Sequence, residues 1–598
     1  MNIDWDDKKR LFVITCPFHA NDLVLTLPSR TWSKPRRAWI AKPIRQNVEK
    51  LVEFSYLTGC TVTAAAKKAL DAATTKAANK EATKILRTEA FPAWYKFKSK
   101  QPRKHQRECF TKMYGRPAFA IHADMGTGKT FMLINEACAL RMEGKIDAIL
   151  VVVKLSGRMT WVEQIDEHAP IPILYHLPST DNPRAFDAWL HEKHDFKCLI
   201  VGSESLSQGS MPKFIDRFMA VHNKIYMAAD ESHLFSNHKS IRTEVVIEDG
   251  LQAKVRRTAT GTPIKQNPMD LYAQMDFLDP DILGIGDFLA FRNRYAVMGG
   301  YREKNPKTGL YGPPKEIVGY QNLDELVKIV APYVFECLKS EVLDLPPKIY
   351  HKRVVQMTKE QRVLYDAIKK FDAYTVKGHD EHVIKNALEK TLRLHQVAGG
   401  FSTTYIETER VARDGSIKIK RTPEWHPIIP WKRNPKILEV VDLARDDVQF
   451  IFWAAYLPEI QAIVNALEDA YPKERIVQIH GAISEGDRET YRQQYQKGSV
   501  KYMVGNTATG GQSSTWTACG TMVYYNNTQK LIDRLQSEDR AHRDGLTHTV
   551  NYVDIIMEGT VDELNILSIA EKMDLAMYIR KHIREVGALI GNPLAQGA

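Results

Sequence analysis

The chain has 598 residues, 44% of them hydrophobic and 26% charged, which is typical of a globular protein with several domains. No apolar run approaches the length of a membrane span and the first residues are acidic, so we expect a soluble, intracellular protein that is not secreted. The seven cysteines lie far apart without a CxxC pair, which argues against a disulfide framework and against a zinc site.

The positive charge is unevenly spread. The formal net charge is +11, which favours a polyanionic partner such as nucleic acid, although charge of this size also serves solubility. Residues 63–104 hold 11 Lys or Arg against 3 Asp or Glu. We interpret residues 63–100 as a basic, Ala/Lys-rich linker or helix, which either tracks DNA or is a solvated spacer.

The first 62 residues have the pattern of a small α+β domain. Residues 10–17 and 22–28 are short β-like runs that end in proline, and residues 46–54 have helical spacing. These features predict strands packed on a helix.

Arginines and tryptophans alternate in this segment, at Arg30, Trp32, Arg37 and Trp39. Either the arginines contact phosphates while the indoles stack on unpaired bases, or the indoles form a small core with a solvated rim. Together with Leu-Pro-Ser before Arg30, the pattern resembles the HARP domain of annealing-helicase members of the SNF2 family. The resemblance implies a module that engages DNA structures such as forks, with Arg30 and Arg37 as DNA contacts.

Residues 123–130, Ala-Asp-Met-Gly-Thr-Gly-Lys-Thr, lie between an apolar run and a helical pattern. This spacing predicts a nucleotide-binding loop, the P-loop, in which backbone N–H groups and the lysine hold phosphates and the final hydroxyl holds Mg²⁺. Ala123 replaces the usual first glycine, and a Gly-rich turn before a helix is the alternative. The expected ligand residues are Gly126, Thr127, Gly128, Lys129 and Thr130, with Gln106 upstream at the adenine edge.

An acidic pair follows another apolar strand about 100 residues later. Asp230 can hold Mg²⁺, and Glu231 can orient and deprotonate the attacking water. The next small-residue turn, with Thr260, Gly261 and Thr262, can bond both the carboxylates and a following domain, so we expect it to couple the two.

Strand-like and helical segments alternate through residues 118–260 and again from about residue 434, which predicts two parallel α/β sheets with ligands at the carboxyl ends of their strands. With the P-loop, Asp-Glu-Ser-His at residues 230–233, Thr-Gly-Thr-Pro at residues 260–263 and Phe-Leu-Asp-Pro at residues 277–280, the chain resembles an SNF2-type superfamily 2 ATPase.

The resemblance implies an α/β fold of two tandem RecA-like lobes, with a small α+β N-terminal domain and a helical insertion. The expected domains are residues 1–62 (HARP-like), 63–100 (basic linker or helix), 101–285 (lobe 1, ATP-binding), 286–430 (insertion and hairpin), 431–572 (lobe 2) and 573–598 (C-terminal helix and tail). One departure is clear: Glu336 and Cys337 stand where the family usually has two arginines.

Two arginines in lobe 2 are the remaining catalytic candidates. Arg540 and Arg543 are three residues apart, so a helix would place them on one face, where they could neutralise phosphate charge in the transition state. A surface pair bonded to Glu538 or Asp539 is the alternative. The resemblance further implies nucleotide contact for Gln536 and DNA contact for Thr507, Gly510 and Gly511.

The resemblance implies a DNA-dependent ATPase that uses ATP and Mg²⁺ to translocate on duplex or forked DNA, remodelling forks or annealing strands. We expect a monomeric motor that works in the cytoplasm or nucleoid with DNA, without a membrane or zinc. The alternatives are a strand-unwinding DNA or RNA helicase of superfamily 2 and a DNA-binding scaffold with a vestigial motor.

Overall fold

A computed structural model describes residues 1–7, 11–17, 21–33, 36–82, 90–179, 182–207, 209–300, 302, 311–312, 314–371, 373–375, 381–384, 386–411, 417–510 and 515–590. The chain forms two units, each described by itself. Unit 1 comprises Met1–Val342 and Leu575–Ala598, and unit 2 comprises Leu343–Asp574.

Unit 1 begins with a small α+β domain. Its five-stranded sheet has the order β3-β4-β2-β1-β5, and buried apolar side chains such as Phe12, Ile14 and Leu51 form its core. The elements are β1 (Asn2–Asp6), β2 (Leu11–Thr15), α1 (Asn21–Leu25), β3 (Arg30–Ser33), β4 (Ala38–Ala41), α2 (Arg45–Thr58), β5 (Thr61–Val62) and α3 (Ala64–Ala82).

The strand prediction for residues 22–28 is wrong, because this segment contains the helix α1. Val24, inside α1, and Leu27, two residues beyond its end, are both fully buried. The basic segment after residue 62 begins as the helix α3.

The main sheet of unit 1 has seven parallel strands in the order β14-β6-β11-β10-β7-β9-β8. The strands of unit 1 after α3 are β6 (Ala118–Ala123), β7 (Ala148–Val153), β8 (Leu174–His176), β9 (Lys197–Gly202), β10 (Ile225–Asp230), β11 (Val255–Thr260), β12 (Ala296–Gly299), β13 (Glu316–Tyr320) and β14 (Val334–Cys337). Every residue of β6, β7, β9, β10 and β11 is buried, as expected for strands covered on both faces.

Helices flank this sheet in α/β alternation. They are α4 (Lys104–Met113), α5 (Lys129–Met142), α6 (Arg158–His168), α7 (Pro183–His191), α8 (Met211–Val221), α9 (Ile241–Gln252), α10 (Leu271–Leu278), α11 (Phe288–Tyr295), α12 (Leu323–Val330) and α13 (Lys339–Val342). The sheet extends past residue 285, because β14 pairs with β6 although it lies in the stretch predicted as a helical insertion.

Unit 2 is built around a second parallel sheet, of six strands in the order β15-β24-β23-β20-β22-β21. A long antiparallel hairpin, β18 with β19, stands at the predicted place, although its turn lies outside the described residues. The strands are β15 (Lys348–Val355), β16 (Ala373–Thr375), β17 (Glu381–Val383), β18 (Phe401–Val411), β19 (Ile417–Pro427), β20 (Phe450–Trp453), β21 (Ile476–Ile479), β22 (Tyr502–Gly505), β23 (Thr521–Tyr524) and β24 (Val550–Met557).

The helices from residue 359 onward are α14 (Lys359–Phe371), α15 (Ala387–Gly399), α16 (Pro435–Leu443), α17 (Leu457–Ala470), α18 (Glu485–Gln496), α19 (Thr507–Gly510), α20 (Leu531–Ala541) and α21 (Val561–Ile590). The predicted α/β class with two parallel-sheet lobes is thus confirmed. Among the described residues, no helix has the length and apolarity needed to cross a bilayer, and no three His, Cys, Asp or Glu cluster as a metal site.

Candidate active site

The P-loop connects the end of β6 to the first residue of α5, as the sequence predicts. Gly126 and Gly128 have φ angles of +86° and +88°, which favour glycine. At Gly128 a Cβ would also lie 2.3 Å from the Gln106 Nε2 atom. The loop therefore needs glycine here for two reasons, its backbone angle and the close approach of a neighbouring side chain.

Two side chains at the start of α4, Gln106 and His105, contact a backbone carbonyl of this loop. Gln106 Nε2 donates a hydrogen bond to the Thr127 carbonyl at 3.0 Å, and His105 Nε2 lies 2.9 Å from the same oxygen. Gln106 Oε1 accepts from the backbone N–H of Arg103. Both amide ends of Gln106 thus hold protein groups, and its contact with adenine stays a prediction.

The catalytic lysine candidate is held by the loop itself. Lys129 Nζ donates to the carbonyl of Ala123 at 2.9 Å and to that of Asp124 at 3.3 Å. Both of these hydrogen-bond partners are neutral carbonyls, so phosphate oxygens can replace them with a stronger, charge-assisted contact. Thr130 is half-buried one residue further along α5.

Asp230 ends β10 and is almost fully buried. Burial, and then the adjacent Glu231 carboxylate, raises the pKa of Asp230, while Lys129 and a hydrogen bond from Trp161 act in the opposite direction. The Trp161 indole Nε1 donates to Asp230 Oδ2 at 2.8 Å. Trp161 therefore orients this carboxylate and stabilises its ionised form.

Glu231 has a left-handed backbone, with φ +52° and ψ +49°. This conformation is costly for a residue with a side chain. Glu231 Oε2 lies 3.2 Å from His233 Nδ1 and accepts from Thr260 Oγ1 at 3.5 Å. Its side chain remains 23% exposed, so water can reach it.

The Thr260–Thr262 turn links the acidic pair to the P-loop. Thr260 Oγ1 lies 3.0 Å from His233 Nδ1 and accepts from the Thr262 backbone N–H, also at 3.0 Å. A Cβ on Gly261 would lie 3.3 Å from the Met125 backbone nitrogen, so the turn packs directly on the loop.

The structure therefore brings the unit 1 candidates together. The P-loop, the acidic pair and the Thr260 turn follow β6, β10 and β11, and these strands are neighbours in the order β6-β11-β10. Their carboxyl ends share one edge of the sheet, which is where parallel α/β sheets bind ligands.

The two arginine candidates lie in unit 2 but not on one helical face. Helix α20 ends at Ala541, so Arg540 is helical whereas Arg543 lies beyond the helix end. Arg543 donates to Thr515 Oγ1 at 2.9 Å and to the Asp539 carbonyl at 3.2 Å. The prediction that both arginines share one helical face is wrong, because the helix ends between them.

Gln536, the predicted nucleotide contact, is half-buried on α20.

Some DNA-contact candidates can be placed. Arg30 Nη1 donates to the Leu27 carbonyl at 2.7 Å and so serves local structure, whereas Arg37 is exposed. Thr507 and Gly510 begin and end the short helix α19. Gly511 lies outside the described residues.

A comparison with known protein families matches the part of the chain that holds the unit 1 candidate residues. A family profile described as SNF2-related domain matches residues 105–399, which include the P-loop, the acidic pair and the Thr260 turn. Residues 105–399 of this chain therefore form an SNF2-related domain. The resemblance seen in the motifs is confirmed, while the HARP-like assignment of the first 62 residues stays a prediction.

Curated relatives of this chain include the human DNA annealing helicase and endonuclease ZRANB3, which is 25% identical over 74% of this chain. The ATP-dependent helicase fft1 of Schizosaccharomyces pombe is 22% identical over 75% of it. The chain spans 37% of the human relative and 50% of the yeast one. The solved Sulfolobus solfataricus SWI2/SNF2 ATPase core in complex with dsDNA is 20% identical, with a TM-score of 0.36, and the match covers 83% of this chain and 97% of that one.

Two supporting residues of the SNF2-related domain are not among those predicted from the sequence. Trp161 is 69 positions from Asp230, and His105 is 22 positions from Thr127. No local pattern marks either contact. The signal for His105 in the sequence is its position beside Gln106, which lies upstream of the P-loop.

Proposed function

We propose that the chain is a DNA-dependent ATPase that translocates on duplex or forked DNA and thereby remodels forks or anneals strands. One observation carries the ATPase proposal: the P-loop with Lys129 follows β6 and the Asp230–Glu231 pair follows β10, with only β11 between these strands, and Trp161 and Thr260 are bonded to the two carboxylates. The names of the relatives, a DNA annealing helicase and an ATP-dependent helicase, support action on DNA.

In the proposed reaction, the oxygen of a water molecule forms a bond to the γ-phosphorus of ATP. The bond from that phosphorus to the β–γ bridging oxygen breaks, which yields ADP and phosphate, and Glu231 accepts a proton from the water. Glu231 suits this role because it is partly exposed and its carboxylate is held by His233 and Thr260. Lys129 exchanges its loop carbonyls for phosphate oxygens.

The residues present fit Mg²⁺ as the cofactor of ATP. The Thr130 hydroxyl and the Asp230 carboxylate are hard oxygen donors, and Mg²⁺ commonly takes one or two protein ligands with phosphates and waters. A cation beside Asp230 also offsets its repulsion by Glu231, which contributes to the raised pKa. When bound, Mg²⁺ neutralises charge on the phosphates.

The unit 2 residues complete the proposal. We assign Arg540 and Arg543 to charge neutralisation in the transition state and Gln536 to nucleotide contact, and we assign Thr507 and Gly510 to the DNA backbone. Replacing Arg543 with lysine keeps the positive charge but loses the planar guanidinium group and its paired hydrogen-bond donors. We therefore expect a lower kcat with nucleotide affinity retained. The seven free cysteines suit a reducing, intracellular setting.

The central experiment measures ATP hydrolysis with no nucleic acid, single-stranded DNA, duplex DNA, forked DNA and RNA in parallel. We expect duplex and fork to stimulate hydrolysis most strongly. Stimulation by RNA or single strands alone would contradict the proposal. An unwinding assay beside an annealing assay separates a translocase from a strand-separating helicase.

Two variants test the assigned chemistry. Glu231→Gln should keep ATP binding and lose turnover, because the amide cannot accept the proton. Lys129→Ala should lose both. Full turnover in the Gln variant would remove Glu231 from the role of base, and unchanged ATP affinity in the Ala variant would show that the loop does not hold phosphates.

The fork preference is best tested by substitution rather than deletion. The N-terminal domain is bonded to the rest of unit 1 through the Lys42–Asp276 ion pair, so removing residues 1–62 would expose that surface. Trp32 and Arg37 are exposed. We expect Trp32→Ala with Arg37→Glu to reduce the preference for fork over linear duplex; an unchanged preference would separate this domain from DNA recognition.

A further inference from the structure

The C-terminal end of helix α21 belongs to unit 1 rather than unit 2. Ala576, Ile579 and Ile583 are buried at helical spacing and join the hydrophobic core that contains Val330 and Ala331. This helix end is therefore packed into the ATP-binding unit as a structural element.

Arg580 projects from the same helix end and is buried against three separate segments of unit 1. Its Nε donates to Glu336 Oε1 at 2.5 Å, its Nη2 to Asp124 Oδ1 at 2.8 Å, and its Nη1 to the Gly261 carbonyl at 3.2 Å. One guanidinium thus joins the edge strand β14, the P-loop and the Thr260–Thr262 turn.

Arg580 places one positive charge between the carboxylates of Asp124 and Glu336. Burial alone would raise the pKa of Asp124, but Arg580, together with a hydrogen bond from the Lys339 backbone amide, brings that pKa below its ordinary value. Glu336 stands where the family resemblance leads one to expect an arginine. In this chain the guanidinium comes from residue 580, and Glu336 supplies one of the carboxylates that hold it.

Asp124 connects this cluster to the nucleotide site. Its backbone carbonyl accepts hydrogen bonds from Lys129 Nζ at 3.3 Å and from Thr127 Oγ1 at 2.8 Å. The Gly261 turn, which Arg580 also holds, carries Thr260 and its bond to Glu231. Arg580 therefore fixes the loop that binds phosphate relative to the turn that orients the proposed base.

We propose that Arg580 is a positioning residue of the ATP site, acting through Asp124, so that ATP affinity depends on the C-terminal helix end being docked on unit 1. This inference rests on the proposed ATPase function. It makes the helix end a point at which the rest of the chain can regulate nucleotide binding, since undocking the helix removes the guanidinium from the loop.

The test measures the Kd for a non-hydrolysable ATP analogue and the kcat for ATP separately, in the full chain. We expect Arg580→Gln to raise the Kd about tenfold, the equivalent of losing about one charge-assisted hydrogen bond. Arg580→Lys keeps a cation near both carboxylates and should recover much of the affinity. Arg584→Gln is the matched control: it breaks the ion pair of the same helix with Glu341, and its Kd should stay within about twofold of wild type.

A double-mutant cycle tests the route through Asp124. If Arg580 acts through Asp124, Asp124→Asn and Arg580→Gln together should raise the Kd no more than the larger single effect. Additive effects, or a folded Arg580→Gln variant with wild-type Kd and a lowered melting temperature, would overturn the proposal and leave Arg580 a structural residue. Should the Gln variant not fold, Asp124→Asn carries the test alone: a raised Kd supports the proposal, and a wild-type Kd in the folded Asn variant overturns it. Absence of ATP binding by the wild type would instead refute the ATPase proposal.

Discussion

The hydrogen bond from Trp161 to Asp230 gives a direct test of how the buried carboxylate is kept ionised. Trp161→Phe removes the indole N–H while leaving an aromatic ring in a site that is 3% exposed. Asp230 must be ionised to hold a cation. ATP hydrolysis should therefore fall at low pH, where the Asp230 carboxylate becomes protonated. Because the lost bond stabilises the charged form, the variant should have a higher carboxylate pKa.

The expected shift of the acidic limb, the low-pH side of the activity profile, follows from the free energy of the lost Trp161–Asp230 hydrogen bond. A hydrogen bond to a charged group contributes about 1.5–3 kcal/mol net, and one pKa unit corresponds to about 1.4 kcal/mol, so the acidic limb should move up by about 1 to 2 pH units. The assay is the pH dependence of kcat/KM for ATP, which reports the free enzyme. Since Asp230 and Glu231 are adjacent, the measured value belongs to the pair.

Trp189→Phe is the matched control for this experiment. Trp189 is also a buried tryptophan of unit 1, but its indole Nε1 has no hydrogen-bond partner among the described residues. Its replacement makes the same chemical deletion and should leave the acidic limb in place. An acidic limb that coincides in wild type and Trp161→Phe, or that moves equally in both variants, would refute the assigned role of the indole.

Two further predictions concern the loop and the core behind it. Gly128→Ala should abolish ATP binding, whereas Gly126→Ala should weaken it less. Both glycines have a positive φ, but only a Cβ at Gly128 meets the Gln106 side chain. Equal loss of ATP affinity in the two variants, measured by calorimetry, would leave backbone strain as the whole cause. Arg257→Leu should lower the free energy of unfolding by about 3–5 kcal/mol in a urea titration, because it strands the fully buried Glu136 carboxylate that Arg257 binds through two nitrogens; a loss below about 1 kcal/mol would contradict this account.

Local sequence was enough to determine the parts of the site whose geometry is set within a few residues. The P-loop depends on glycines and a lysine at fixed spacing between a strand and a helix, and Asp230 and Glu231 follow directly from a buried strand. The α/β class followed from alternating strand and helix patterns for the same reason. At residues 22–28 the local pattern predicted a strand, whereas the chain forms the helix α1 at Asn21–Leu25 with Val24 buried.

Only the tertiary structure decided which distant residues support that site. Nothing near Asp230 indicates that Trp161 bonds to it, and Arg580 reaches Asp124 across 456 positions of sequence. Helix α20 also ends two residues before Arg543, which spacing alone did not reveal. Such contacts depend on how strands are ordered in a sheet and on where a chain end packs, and these arise from the burial of many side chains at once rather than from any short motif.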